Sequence, residues 1–467
     1  MHPTTTRRRF ALLATIQVLV NACVTITSAA GPAIERGLDL TRTQLVLAGS
    51  AYGLAFSGLL LLGGRLANLT NQRRTFALGT GTIALGSAVA AASTTAPVLI
   101  AARFIAGCGA ALAAPAAMAL LGAVFPDPPR RARAITVWGS LGGIGAALGI
   151  LISGVMVTLL TWRWVFTVLA AVAFGVVLAA PRLLPRGATP SPGRVDVAGA
   201  VLAPAGLCAL GYGLAMAGPH GWSAPVVLLP LGSGVLLLAA FAVVETLIAH
   251  PLLPPRLLAS TARVAALLTA MLGPAGGATT AFLLSLYFQQ VRGWSPLATA
   301  AAYLPYTVVL SATGLLSGRL VERFGARKIA PVGLLVISAG LALISRLTPT
   351  GPLGTPLLAG LLVLPFGIGL TIPSAVTTAV EGIPQRQAGL AAGVVNTAML
   401  TGPSMGVAVL ASLADSRTAA LTHAGRTPSA AAVGGYTYAF AIAAIAFLLA
   451  AALTAAGSRA RRPERLG

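Results

Sequence analysis

The stretch Gly64-Arg65-Leu66-Ala67-Asn68-Leu69-Thr70-Asn71-Gln72-Arg73-Arg74 returns far downstream as Gly318-Arg319-Leu320-Val321-Glu322-Arg323-Phe324-Gly325-Ala326-Arg327-Lys328. Each copy follows an apolar run of about 20 residues and precedes another, and a helix of that length crosses roughly 30 Å of hydrocarbon. A basic turn duplicated between bilayer-length helices predicts an all-α membrane protein built from two related halves.

Composition agrees. The chain is 57% hydrophobic and 9% charged, too little polar surface for a soluble protein of 467 residues. The 54 Gly and 31 Pro fall inside apolar runs, as in packed membrane helices. A net charge of +22 in a soluble chain would suggest nucleic acid. Here about 23 basic residues fall on one side of the predicted spans and about 7 on the other, so the charge orients the chain and excludes a nucleic-acid partner. Arg7-Arg8-Arg9 before an apolar run resembles a signal peptide, but the run from Phe10 to Gly31 is too long and too polar for one. It is read as an uncleaved first helix. Cys23, Cys108 and Cys208 all fall in spans and are read as small packing residues.

Length and breaker residues give about fourteen spans: 10–31, 44–64, 75–95, 97–122, 134–160, 164–181, 196–217, 225–249, 263–288, 297–318, 329–347, 353–372, 388–412 and 435–457. An even count puts both termini on the basic, cytoplasmic side of a plasma membrane. The duplicated turns lie eight helices apart, so two extra helices must separate two six-helix bundles. The division is residues 1–181 for the first bundle, 182–262 for a cytoplasmic linker and the inserted pair, and 263–467 for the second bundle. Asp415 to Gly434 reads as the longest external loop, irregular in structure.

Polar groups inside spans are costly and therefore informative. Gln17, Asn21, Thr25 and Ser28 recur at helical spacing on one face of span 1. Such a stripe lines a substrate pathway or bonds a neighbouring helix. Arg103 lies well inside span 4, where insertion scales charge about 2.5–3.5 kcal/mol. It is read as a cation facing a cavity, the alternative being a side chain that snorkels outward. Gly145, Gly149 and Ser153 form a small-residue ridge that lets two backbones approach and slide, or simply pack. Tyr303 and Tyr306 share a helix face, and Asn396 is a further polar group in a span; these line a pocket or serve the core. Asp196 and Glu245 sit near span ends and read as pairing groups at the interface. Trp162-Arg163-Trp164 reads as an interfacial aromatic belt. No nucleotide-binding loop, metal-ligand cluster or activated nucleophile is visible, so the expectation is no cofactor, no metal and no enzyme.

These features resemble the major facilitator superfamily, most of all its fourteen-helix drug:proton antiporter branch. Gly64 to Arg74 matches the loop motif between helices 2 and 3. Thr25-Ile26 leading to Ala30-Gly31-Pro32-Ala33-Ile34 resembles the helix 1 signature. Arg103 through Gly107, Gly109 and Pro115 resembles the helix 4 motif, and Gly145 to Gly154 the helix 5 antiporter motif. Asp196-Val197-Ala198-Gly199 and Glu245 followed by His250-Pro251-Leu252-Leu253-Pro254 resemble the inserted pair, and Gly389 to Asn396 resembles helix 13. The departures are specific. Cys23 stands where the branch carries Asp, Asn68 and Asn71 where its loop has Asp and Gly, Ala106 where it has Gln, Ile150 where it has Pro, and Met399-Leu400 where it has Arg-Gln. They bear on proton coupling and gating more than on fold.

The resemblance implies alternating-access export of a small amphipathic organic compound, with protons as coupling ion and the lipid bilayer as surroundings. Substrate-lining candidates are Gln17, Asn21, Thr25, Arg103, Tyr303, Tyr306 and Asn396. Gating candidates are Gly64, Asn68, Arg73, Gly145, Gly149, Gly318, Glu322 and Arg327. In the family the loop acid pairs with basic groups or caps a helix end and so holds the cytoplasmic gate shut. The alternatives are an uncoupled facilitator or uptake carrier, and a transport-inactive sensor or scaffold. Asn68 carries no charge, so the first lock is weakened. Asn68→Asp should shrink the population open to the cytoplasm, measured by accessibility labelling; an unchanged population removes the argument.

Overall fold

In the computed structural model, residues 3–185, 196–248, 252–253, 260–350, 355–381 and 388–459 are described. Fifteen α-helices follow one another: α1 (Pro3–Gly37), α2 (Arg42–Leu69), α3 (Gln72–Ala92), α4 (Ala96–Val124), α5 (Pro128–Leu159), α6 (Trp162–Leu183), α7 (Val197–His220), α8 (Pro225–Leu247), α9 (Thr261–Leu286), α10 (Pro296–Ala302), α11 (Leu304–Phe324), α12 (Ala326–Ile344), α13 (Thr355–Val380), α14 (Ala388–His423) and α15 (Pro428–Arg459). A π-helical turn, Tyr287–Val291, extends α9. Among the described residues fourteen segments are long and apolar enough to span a membrane, α10 and α11 together forming one of them. That bears out the expected fold class and span count. Large apolar side chains such as Leu229, Leu315 and Leu453 stand exposed along the helices, an arrangement that only a lipid surrounding makes favourable.

Local chemistry sets the helix ends. Thr41 and Gln44 form a capping box at the start of α2, and Asn71 caps α3 by accepting from the Arg74 N–H. In the second copy of the turn Gly325 takes φ +85° and sends its N–H to Val321 O at 2.8 Å, the left-handed stop that a glycine makes without strain.

Two expectations need correction. Asp415 to Gly434 is not an irregular loop. Helix α14 runs on to His423 and α15 begins at Pro428. Thr418 and Thr422 fold their hydroxyls back onto Ala414 O and Thr418 O, which lets a polar segment stay helical beyond the apolar stretch. Nor does Trp162-Arg163-Trp164 act as one belt. Trp162 is buried against Gly37 and Phe166, Arg163 stacks on its ring at 4.4 Å and donates to Ser93 O, and Trp164 alone is exposed. Helix α6 begins at Trp162, so helical geometry turns the two rings to different sides.

The chain divides into two compact units, Met1–Gly213 with Pro225–Leu252 and Gly293–Ala301, and Leu214–Ala224 with Leu253–Arg292 and Ala302–Gly467. In the first, α3 and α4 meet backbone to backbone. A Cβ on Gly79 would lie 2.7 Å from Gly109 O, and one on Gly109 would lie 2.7 Å from Ile83 N. In the second, α12 and α13 repeat the contact: a Cβ on Gly367 would lie 2.7 Å from both Gly333 O and Ile337 N. Gly79 and Gly333 are separated by the same interval as Gly64 and Gly318, so the doubling extends from the turn to the helix packing.

The first portion of the inserted pair packs on α2 within the first unit, with Gly58 against Pro204 and Gly211 against Leu54. At its base the Asp196 carboxylate accepts from the Gly199 N–H at 2.9 Å, and Glu245 reaches the same glycine from the end of α8. Both acids are buried. The absent side chain at Gly199 is what admits the two carboxylates together.

Gly109→Val and Gly367→Val should each destabilise the folded protein by about 1–3 kcal/mol or more, because the atoms in the way are backbone and have little room to move. Gly122→Ala, where a Cβ meets nothing within 4 Å among the described residues, should leave the transition unchanged. Thermal unfolding of the purified variants checks the contrast.

Candidate functional site

The small-residue ridge of α5 seats on α1. A Cβ on Gly145 would strike Val18, and one on Gly149 would strike Ala22 and the Thr25 hydroxyl. Ser153 Oγ donates to Ile26 O at 2.9 Å, Thr25 Oγ1 donates to Ala146 O at 2.8 Å, and Trp138 Nε1 donates to Leu13 O at 3.3 Å. The ridge is therefore a close backbone contact joined by hydrogen bonds at three levels. Thr25 belongs to that contact. Asn21 and Gln17, one and two turns earlier, flank Gly142, with Asn21 Nδ2 donating to Gln17 O at 2.8 Å. Both amides are half-buried, so part of each remains available beyond the α1–α5 contact.

Arg103 does not snorkel. It is 2% exposed. Its Nη1 donates to Cys23 O at 2.9 Å, its Nε to Ala48 O at 3.3 Å, and its guanidinium lies 5.0 Å from the Tyr52 ring centroid. Tyr52 is itself fully buried and donates to Val20 O at 3.0 Å. One cation thus ties α4 to backbone carbonyls of α1 and α2. Arg103 Nη2 has no hydrogen-bond partner among the described residues. The Cys23 thiol sits beside Tyr52 and within reach of the Arg103 charge. In the sequence Cys23 reads only as a packing residue and a departure from a signature. The structure makes it and Tyr52 the surroundings of Arg103.

The second unit carries a related arrangement. Gly402 and Gly406 of α14 press on Met271 and Ala275 of α9, and a Cβ on Gly406 would lie 3.1 Å from Thr279 Oγ1. The sequence gives no sign of this second ridge, because Gly402 and Gly406 sit in a stretch without a recognisable motif. Thr279 and Thr280 are fully buried, and their hydroxyls have no partner among the described residues. Tyr303 occupies the break between α10 and α11, where it is buried, donates to Ala281 O at 2.9 Å and packs on Phe288 and Tyr306. Tyr306 is half-buried with its hydroxyl directed at Gly277. Asn396 is exposed on α14.

The turn residues divide. Gly64 has only Pro115 at 4.0 Å from a would-be Cβ, whereas Gly63 packs directly on the Ala111 carbonyl. Arg73 Nη1 donates to Pro181 O and Leu184 O, both at 3.2 Å, and Arg9 Nε donates to Leu183 O at 2.8 Å. Two guanidinium groups thereby hold the carbonyl end of α6, where the helix dipole favours positive charge. In the second copy Arg327 instead pairs with Glu381 at 3.2 Å. Glu322 is exposed and pairs with no basic group among the described residues, and Gly318 meets no atom within 4 Å there. The side chain of Asn68 lies outside the described residues. Among them no three His, Cys, Asp or Glu side chains gather as a metal site.

The sequence model of the Major Facilitator Superfamily matches residues 13–407. The chain is 38% identical to a puromycin resistance protein of Streptomyces alboniger over 94% of its own length and 88% of that protein's. It is 34% identical to a cephamycin export protein of Amycolatopsis lactamdurans, over 87% and 85% of the two chains. Among solved structures it resembles a bacterial homologue of the human lysosomal transporter Spinster, with a TM-score of 0.73 at 16% identity and 98% of each chain covered.

A carboxylate at position 23 would be buried within the field of the Arg103 charge. Cys23→Asp should therefore fold, while Cys23→Asp combined with Arg103→Ala should lose about 3–5 kcal/mol as a lone buried charge. Equal thermal stability of the single and double variants would show that Arg103 does not face position 23.

Proposed function

Because the chain belongs to the major facilitator superfamily and is a multi-pass membrane transporter, we propose that it exports a small amphipathic organic compound of the antibiotic or secondary-metabolite class. The observation that carries the proposal is near-full-length similarity to relatives named for antibiotic resistance and export, in company with fourteen apolar helices. The protein acts as a carrier rather than an enzyme. It resides in the plasma membrane with both termini in the cytoplasm. Residues 1–181 and 263–467 serve as two six-helix bundles, with the linker and inserted helices of 182–262 between them.

In this reading Gln17 and Asn21 contribute polar contacts to the substrate pathway in the first bundle, with Thr25 at its edge, and Arg103 acts from within the bundle by tying α4 to α1 and α2. Tyr306 and Asn396 do so in the second, and Tyr303 fixes the ring of Tyr306. Gly145 and Gly149 form the surface on which α5 moves against α1. Arg73 and Arg327 fasten the turns that follow Gly64 with Asn68, and Gly318 with Glu322. Export is driven by proton antiport. Among the described residues the titratable side chains acting on Arg103 are Cys23 and Tyr52 rather than a carboxylate, so in this reading the coupling proton is carried away from that cation.

Accumulation of puromycin and a cephamycin in cells with and without the gene tests the reading. Accumulation of at least one compound should fall several-fold with the gene and recover with a protonophore, and Arg103→Ala at normal protein level should abolish most of the difference. Accumulation lowered but indifferent to the protonophore would replace antiport with a facilitator. No change for any compound would reject export of this class.

A further inference from the structure

Between α1, α5 and α6 of the first unit runs a cavity of about 350 Å³. Its floor is one face of α1, Ala11, Ala14, Thr15, Val18, Leu19, Ala22 and Ile26, and its walls are Leu148, Gly149 and Ile152 of α5 with Val168, Leu169 and Val172 of α6. The lining is apolar apart from Thr15, whose hydroxyl is turned back onto Ala11 O. At 1.5 Å per residue the floor is about 22 Å long, longer than one leaflet's share of a roughly 30 Å hydrocarbon layer. The rim residues Leu148 and Val172 are 37% and 38% exposed, so the furrow opens sideways off the helices. The inserted helix α7 packs on α2 rather than on the furrow's lining residues.

The floor residues recur at intervals of three and four. Continued backwards by the same intervals, that face reaches Arg7 and Arg8. Both side chains are exposed. Arg9, the next residue, is turned away to α6. An apolar trough of acyl-chain length therefore ends at two free-standing guanidinium groups on the same helix face. An apolar groove alone would accept any lipid tail. Two cations at its mouth select the headgroup, since arginine matches phosphate in both charge and geometry.

We propose that this furrow is a binding site for an anionic phospholipid, with one acyl chain along the α1 floor and the phosphodiester headgroup on Arg7 and Arg8. The bound chain packs beside Val18, Ala22 and Gly149, the residues at which α1 and α5 touch. The site stands on the first unit alone and does not depend on which compound the protein carries.

The test is native mass spectrometry of the purified full chain after incubation with equal amounts of phosphatidylglycerol and phosphatidylcholine. The parent should retain one equivalent of phosphatidylglycerol in preference to phosphatidylcholine by roughly tenfold or more. Arg7→Gln with Arg8→Gln should erase the preference, and Arg7→Lys with Arg8→Lys should keep most of it. Ile152→Trp, which fills the furrow, should lower retention of phosphatidylglycerol with the arginines intact. Equal retention of the two lipids by the parent overturns the proposal, as does an unchanged preference in the double Gln variant. Should Ile152→Trp fail to fold, the two exposed arginines decide the matter alone.

Discussion

Hydrocarbon offers a peptide group nothing to bond with. Every N–H and C=O must find its partner inside the chain, and a side chain that brings polarity into the apolar layer must do the same. That requirement makes the spans helical, and it explains the buried polar contacts around them. Thr80, Thr269 and Thr313 fold their hydroxyls onto the preceding turn of their own helix. Arg103, too long and too charged for that, reaches carbonyls on two neighbouring helices. At the end of α6, where the last carbonyls lack helical donors, Arg9 and Arg73 supply them.

Once backbone bonds are satisfied within each helix, association depends on how closely helices approach, because lipid tails are as apolar as leucine. The close contacts are made by glycine. Gly79 with Gly109 and Gly333 with Gly367 bring helix axes together in the two units by the same device. Gly145 with Gly149 and Gly402 with Gly406 do so again along α1 and α9. The doubled turn is thus the visible part of a doubling that runs through the packing. The copies have diverged where charge is concerned. Arg73 serves a helix terminus and Arg327 an acid, so equivalent positions fasten their turns by different physics.

The surroundings of Arg103 show what a single replacement does to such a site. A carboxylate at position 23 would supply a countercharge. Cysteine supplies a small, weakly polar group, and the guanidinium relies on two carbonyls and the Tyr52 ring. The cation is retained, bonded through Nε and Nη1, and left with one terminal nitrogen, Nη2, without a partner among the described residues. An interaction that no longer contains two opposite charges responds differently to protonation from one that does.

The amino-acid sequence alone determined the bilayer-length helices, their number, the duplicated turn and the superfamily, because apolar run length and a repeated motif are local and survive without knowledge of neighbours. It also marked Arg103 and the Gly145–Gly149 ridge, since a charge or a small-residue stripe inside an apolar run is conspicuous by itself. Tertiary structure decided the rest. Gly63 rather than Gly64 carries the close approach to α4, Trp162 turns inward while Trp164 turns out, α14 stays helical past Asp415, and Tyr52 and Cys23 enclose Arg103. Each of these depends on which face of one helix meets which face of another, and adjacent residues on a helix point about 100° apart, so spacing along the chain cannot say which of two neighbours will touch.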